Sequence, residues 1–437
     1  MNMNKKRFFD PLYGPVELDD FEYSLIFLPE VQRLRYVRMC NINSLLVTGA
    51  SEISRFEHIL GVMRLAKEWV KFNSDSMTEH QKKSFIAAAI LHDFQTGPFG
   101  HSLQYILEEN ETDEQFKHDD LEHGVDNNYH QLTDAAASFA GKVFESSKLL
   151  GDYWQEITEL IHGSGSLGPL ISGTLDIDNI DNVIRLAYHV GVADKADATI
   201  ALNLSRDLKC ESRSITISTQ SLPLVERWQE IRRRLYQLLL LDWAEFSAKA
   251  MLTKSIELLI VRNKLGPDVW KMTDLEFLSH LQDISVGEAQ DAKELARRIS
   301  CGDLYHPVLL AEFPGTSKYD DLNNPLEKRK LESRIKILIK SKLSLSKEVI
   351  VHYIKDKGKT DRAVPVIIRD SNRKVTLGMN SDKTLIGIFI SSEENCENKD
   401  QAKDLIKLFL EDDLKITLNY FDDPIAKVDE SIQLELL

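Results

Sequence analysis

Apolar positions recur at helical spacing in "RFEHILGVMRLAKEWVKF", where Phe56, Ile59, Leu60, Met63, Ala66, Trp69 and Val70 share one face of a helix starting near Ser54. "QKKSFIAAAILHDF" follows as a short helix that is apolar almost all round, which predicts a place deep in the core. Upstream, "EYSLIFLPEVQRLRYVRMC" has helical spacing interrupted at Pro29. "DPLYGPVELDD" reads as a turn with a short extended segment, because Pro11, Gly14 and Pro15 break a helix. "SLLVTGAS" suggests a short strand and turn. More helices are expected over 101–110, 131–150 and 152–162, in "DNIDNVIRLAYHV", and in a long stretch from about Leu224 to Asn263. "HGSGSLGPLISG" is a loop, and "ITIS" at 215–218 has strand character.

After about residue 345 the texture changes. "KEVIVHYIKD", "AVPVIIRD", "KVTLGM" and "TLIGIFISS" are β-branched runs separated by Gly, Asp, Asn and Lys. "SSEENCENKD" reads as a loop, and "KDQAKDLIKLFLEDD" as a final helix with Ala402, Leu405, Ile406, Leu408 and Phe409 on one side. The expected organisation is a mainly α body over 1–344 and a small α+β lobe over 345–437.

Composition narrows the class. With 43% hydrophobic residues the 437-residue chain can bury a sizeable core. The balance of 54 basic against 69 acidic residues, net −15, weighs against strong nucleic-acid binding or an anionic membrane, while leaving room for local basic patches. Cys40, Cys210, Cys301 and Cys396 lie far apart without a C-x-x-C pair, which fits a reducing compartment rather than a disulfide framework or a cysteine-bound zinc. "MNMNKKRFFDPLYGP" has no apolar secretory core, and no run of about 18 apolar residues occurs. A cytoplasmic protein is expected.

The chemistry lies in polar residues set into apolar helices. His58 sits in "RFEHILGV", His92 and Asp93 end "AAAILHD", and Asp176, Asp178 and Asp181 punctuate "LDIDNIDNV". Unpaired charges at a buried helix end cost several kcal/mol (roughly 2–7 for a polar group alone), and binding a cation removes most of that cost. Imidazole and carboxylate together suit Mn, Fe, Co, Ni or Zn, and Mg where water fills other positions. Taken singly, each residue also fits a plainer role, a histidine bonded to a backbone carbonyl or an aspartate capping a helix. A histidine on one helix, a His-Asp pair on the next and an aspartate opening a third favour the metal.

In these stretches the sequence resembles the HD-domain phosphohydrolases, and among them the deoxynucleoside triphosphate triphosphohydrolases. "DPLYGPVEL", "PEVQRLRYVRM", "GASEISRFEHILGVMRLA", "LHDFQTGPFGHSL" and "LDIDNIDNVIRLAYHVGV" carry the likeness in order, and the C-terminal lobe follows with less specific texture. The resemblance implies a mainly α HD-domain core, its ligands within 54–190, with a small α+β C-terminal lobe. It implies a divalent metal (Mg, Mn, Fe, Co, Ni or Zn) held by His58, His92, Asp93 and Asp178. It further implies hydrolysis of a dNTP to deoxynucleoside and triphosphate. His101 and His118, or the nearby His123, are then catalytic acid–base candidates, since imidazole titrates near neutral pH. Arg55, Thr96, Asn182, Arg185 and Tyr236 are candidates for substrate contact. One of Arg232, Arg233 and Arg234, consecutive on a helix, should face inward. Trp228 and Met39 are expected in the core. A homo-oligomer (dimer or tetramer), an allosteric nucleotide activator and a part in antiviral defence by dNTP depletion also come with the resemblance.

Departures fall outside the four ligands. Thr96 stands where the family has a histidine, and a hydroxyl does not carry a proton as imidazole does near neutral pH. Gln104, Asn179, Asn182 and Leu186 replace an acid, a lysine, a tyrosine and an aspartate, and Met39 stands at a base-reading glutamine. These leave two alternatives open: an HD enzyme acting on another nucleotide phosphoester, or a catalytically weakened nucleotide-sensing subunit.

Overall fold

The structure is a computed structural model that describes residues 6–40, 42, 53–94, 96–100, 102–104, 106, 149–265, 269–270, 272–283, 289–392 and 396–421. The strand and turn expected at "SLLVTGAS", most of the helices expected over 101–110 and 131–150, and His101, His118 and His123 lie outside the described residues.

The chain opens with a hairpin, β1 (Arg7–Asp10) and β2 (Gly14–Glu17). Its turn is closed by the Asp10 carboxylate, which accepts from the backbone N–H of Leu12 and Tyr13 at 2.8 and 2.9 Å. Helix α1 (Asp20–Ile26) starts with a capping box between Asp19 and Glu22. Pro29 does more than interrupt the pattern: it occupies the first turn of α2 (Pro29–Arg33), where its missing N–H costs nothing.

The helical body continues with α3 (Arg55–Asn73), α4 (Glu79–Leu91), α5 (Trp154–Ile161), α6 (Ile177–His189) and α7 (Ala198–Asp207). Two short strands, β3 (Lys209–Glu211) and β4 (Ser214–Ile217), precede α8 (Leu222–Leu241), α9 (Trp243–Val261), α10 (Asp274–Asp283) and α11 (Gln290–Ser300). The long helical stretch expected from Leu224 is thus two helices. The break falls at Asp242, whose side chain accepts from the Ala244 N–H at 2.9 Å and caps α9. Helix α4 is as buried as its composition predicts. Ala87, Ala88 and Ala89 have no exposed surface, and small side chains there let α3 and α5 approach from either side.

The C-terminal lobe contains β5 (His306–Pro314), α12 (Tyr319–Asn323), α13 (Pro325–Leu343), β6 (Val349–Lys357), β7 (Val364–Ile368), β8 (Arg373–Leu377), β9 (Asp382–Ile390), α14 (Cys396–Leu414) and β10 (Asn419–Tyr420). One antiparallel sheet runs β10-β5-β9-β6, with α13 and α14 sharing its apolar core. A second runs β3-β4-β7-β8, in which β4 pairs with β7 in parallel. Two expectations change. The first sheet draws a strand from 306–314, ahead of the boundary expected at 345, and the second joins both sides of that boundary. "SSEENCENKD" is not all loop, because α14 already begins at Cys396.

Candidate metal centre

Three helix ends converge. Ser54 caps α3 by accepting the Glu57 N–H, which fixes the first turn that carries Arg55 and His58, both buried. His92 is the C-terminal cap of α4, with Asp93 next. Asp176 caps α6 by accepting the Asn179 N–H at 2.6 Å, and this places Asp178 in the opening turn.

The four expected ligands meet there. The Nε2 atoms of His58 and His92 are 3.3 Å apart. Asp178 Oδ1 lies 2.8 Å from His58 Nε2 and 3.6 Å from His92 Nε2. Asp93 Oδ2 lies 4.0 and 3.8 Å from the same two atoms. The other ring nitrogens are held by partners outside the cluster. His92 Nδ1 is 3.0 Å from the Ala89 carbonyl, which accepts only from an N–H, so Nδ1 carries a proton and Nε2 is the ring atom left to face a metal. His58 Nδ1 is 2.8 Å from Asp181 Oδ2, the carboxylate–histidine arrangement that orients metal ligands. Donor atoms this close together are stabilised by positive charge among them, protons on the imidazoles when no metal is bound and a cation in their place when one is. With metal–ligand bonds of about 2.0–2.2 Å, neighbouring donors stand about 3.0–3.5 Å apart, close to the spacing seen. Two imidazoles and two carboxylates therefore fit a divalent transition metal, or Mg with water completing its shell.

The electrostatics agree. Burial works against a charged imidazole, yet Asp93 and Asp178 push His92 up to about 9, and Asp178 and Asp181 raise His58 from its ordinary value. Burial likewise favours neutral carboxyls, yet Arg55 and the two histidines hold Asp93 well below the usual range. The same two histidines depress Asp178. The cluster attracts positive charge from every side.

Behind His58 stands a second layer. Asp181, fully buried, accepts from Arg185 Nε and Nη2 at 3.0 Å each. Arg185 also reaches Asp10 at 2.9 Å and Glu57 at 2.8 Å, and His189 joins Glu57 at 2.9 Å. Gly61, one turn along α3 from His58, leaves room for this layer, since a Cβ there would strike Arg185 and Asp181.

The candidate substrate residues divide. Arg185 is fully buried among three carboxylates behind His58. Arg55 donates to Asp93 Oδ2 at 2.6 Å, and Gly100, with φ +56°, lets its guanidinium pass close to the loop. Thr96 is buried and spends its hydroxyl on Asp93 Oδ1 at 3.0 Å. Asn182 lies one turn beyond Asp178 on α6, its Oδ1 buried and without a hydrogen-bond donor among the described residues. Tyr236 is half-buried, with the Arg232 guanidinium 4.7 Å over its ring. Of the three consecutive arginines, Arg232 is the inward one, donating to the carbonyls of Gly358 and Lys359, whereas Arg233 pairs with Asp361 and Arg234 with Glu230. Trp228 and Met39 are core residues.

Sequence reasoning missed the part of Asp181, although its i+3 spacing from Asp178 was a signal. It also missed Arg362, whose Nη1 donates to Asn179 Oδ1 at 2.8 Å.

Fold and donor set agree with one comparison: residues 55–161 match the HD domain family. The chain resembles, more particularly, the deoxynucleoside triphosphate triphosphohydrolases. Deoxynucleoside triphosphate triphosphohydrolase SAMHD1 of Danio rerio is 36% identical over 105 residues, 22% of this chain and 16% of the relative. The Dictyostelium discoideum SAMHD1 homolog is 24% identical over 45% of this chain and 39% of its own length. Protein YwfO of Bacillus subtilis is 27% identical over 57% of this chain and 55% of the relative, so the chain spans little more than half of that relative. A solved phosphohydrolase from Bacteroides thetaiotaomicron shares the fold, with TM-score 0.60 at 16% identity over 88% of this chain and 99% of that one. Among the described residues, no helix is long and apolar enough to cross a membrane.

Proposed function

We propose that the protein is a metal-dependent phosphohydrolase that cleaves deoxynucleoside triphosphates to deoxynucleoside and inorganic triphosphate. The observation that carries this reading is the convergence of His58, His92, Asp93 and Asp178, with both imidazole Nε2 atoms turned inward by partners behind them. These four side chains would hold a divalent cation, which supplies Lewis-acid polarisation of a phosphate oxygen and a more acidic water. Arg55 keeps Asp93 ionised, and Thr96 fixes its second oxygen. Asp181 holds the His58 proton on Nδ1. Asn182 Oδ1 offers an acceptor for a sugar hydroxyl or water, and the Tyr236–Arg232 stack forms a flat wall for the sugar. Proton transfer to the leaving oxygen is assigned to His101 or His118, both outside the described residues. Activation by a nucleotide, assembly into a dimer or tetramer, and use in defence by dNTP depletion belong to the same proposal.

One observation favours a second reading, a nucleotide sensor without turnover: Thr96, at a position where the family has a histidine, commits its hydroxyl to Asp93 rather than to a proton path. The two separate in one experiment. Purified protein is incubated with Mg, Mn or Co and each dNTP, NTP and cyclic nucleotide, alone and in mixtures, and the phosphate products are identified. Triphosphate release from dNTPs supports the proposal, pyrophosphate or monophosphate points to another phosphoester, and tight binding without product supports the sensor. Asp93→Asn should lose both metal and turnover, and unchanged activity in that variant would overturn the site assignment.

A further inference from the structure

The loop after β6, "KGKTDR" at 357–362, comes from the C-terminal lobe yet ends beside the metal centre. Arg362 Nη1 donates to Asn179 Oδ1 at 2.8 Å, and Asn179 directly follows the ligand Asp178. Asn179 cannot turn its amide round, because its Nδ2 is held by both Asp176 carboxylate oxygens at 3.1 and 2.9 Å. The amide thus works as an adaptor, nitrogen toward the helix cap and oxygen toward the guanidinium.

The loop is fastened along its length to α8. Arg232 takes the Gly358 and Lys359 carbonyls, Arg233 pairs with Asp361 at 2.8 Å, and Gln229 Nε2 donates to the Arg362 carbonyl at 3.0 Å. Arg362 is therefore placed by fixed contacts rather than by a free side chain.

Its charge is unspent. Arg55, Arg185, Arg233 and Arg234 all pair with carboxylates, but among the described residues Arg362 forms no ion pair. A guanidinium has five N–H donors in a planar fork suited to phosphate oxygens, and one bond to a neutral amide leaves most of them available. The charges of Asp178 and Arg362 both reach the Tyr236 hydroxyl.

We propose that Arg362 is a substrate-binding residue that grips the β- and γ-phosphates of a nucleoside triphosphate, with Asn179 as its positioning residue. The inference rests on the phosphohydrolase reading for the place of the α-phosphate. Adjacent Cα atoms are about 3.8 Å apart, so a group on Asn179 stands within a triphosphate's length of Asp178. A cation in that place meets the leaving end of the chain and favours its departure as negative charge builds up there.

The test uses the full-length protein loaded with Mn and two probes, inorganic triphosphate for binding and dNTPs for turnover. Arg362→Ala should weaken triphosphate binding and raise KM by about 10- to 100-fold, the scale of charge-assisted bonds lost. Pyrophosphate binding should change several-fold less, and metal content should remain at the wild-type level. Arg362→Lys, which keeps the charge without the fork, should fall between the two and guards against a folding defect in the alanine variant. Asn179→Ala should weaken triphosphate binding less than Arg362→Ala. Wild-type triphosphate affinity and KM in both Arg362 variants would overturn the inference, as would a wild-type protein that binds no triphosphate. Arg362-dependent binding without dNTP turnover would sustain it while sinking the proposed function.

Discussion

Asp181→Asn isolates the layer behind the metal ligands. The residue is fully buried, takes the Nδ1–H of His58 at 2.8 Å and accepts twice from Arg185 at 3.0 Å. Asparagine preserves shape and one acceptor oxygen but removes the charge. Arg185 retains Asp10 and Glu57, so the penalty for breaking a buried pair should fall at the low end of its range, about 3 kcal/mol. The effect on metal is separate. His58 loses the carboxylate that raises its basicity, and loss of such a partner lowers metal affinity about 10- to 100-fold, or roughly 1.4–2.7 kcal/mol. Calorimetric titration with Mn near neutral pH reads the second quantity, and urea unfolding of the metal-free protein reads the first. The reasoning is refuted if Mn affinity stays within twofold of wild type while the protein remains folded.

Three further outcomes are expected. Gly61→Ala should destabilise by about 1–3 kcal/mol in urea unfolding, because the new methyl strikes Arg185 and Asp181; an ordinary helical glycine would instead gain about 1 kcal/mol from alanine. Glu30 is buried in α2 with no side-chain partner for its carboxylate oxygens among the described residues, and burial, outweighing its own backbone N–H and Arg33, raises its pKa from 4.5 to about 8. The folded chain then keeps a proton that the unfolded chain has released, so stability is full below about 4.5 and falls as pH rises toward 8. The loss is on the order of 5 kcal/mol, and Glu30→Gln should flatten that part of the pH–stability curve. Saturating Mn at about 100 times its dissociation constant should add about 2.7 kcal/mol of stability, visible as a rise in Tm that EDTA reverses and Asp93→Asn lacks.

Much of this was legible from local pattern. The apolar face of α3 and the all-apolar α4 announced their burial, and the polar residues that end or begin those helices announced a cluster that could hold a metal. What escaped was partner choice. Arg185 lies four residues past Asp181, a spacing that pairs them on one helix face, yet an arginine near a candidate phosphate site reads first as a phosphate ligand. Only burial reveals that its donors are committed. Arg362 escaped for a different reason: it contacts Asn179 across 183 residues, and nothing periodic links a lobe loop to the start of a distant helix. The strand at 306–314 was hidden in a stretch that carries prolines at both ends, and only its pairing with β9 identifies it.

The parallel pairing of β4 with β7 has a consequence for how such a chain can change over time. Thr216 and Ile217 match Ile367 and Ile368, and Arg369 ties the join by reaching the Asp207 carbonyl and carboxylate. The tail is stitched into the helical body rather than hung from it. Recombination that exchanged the last hundred residues between relatives would have to bring 207–217 along, or leave a raw strand edge facing water.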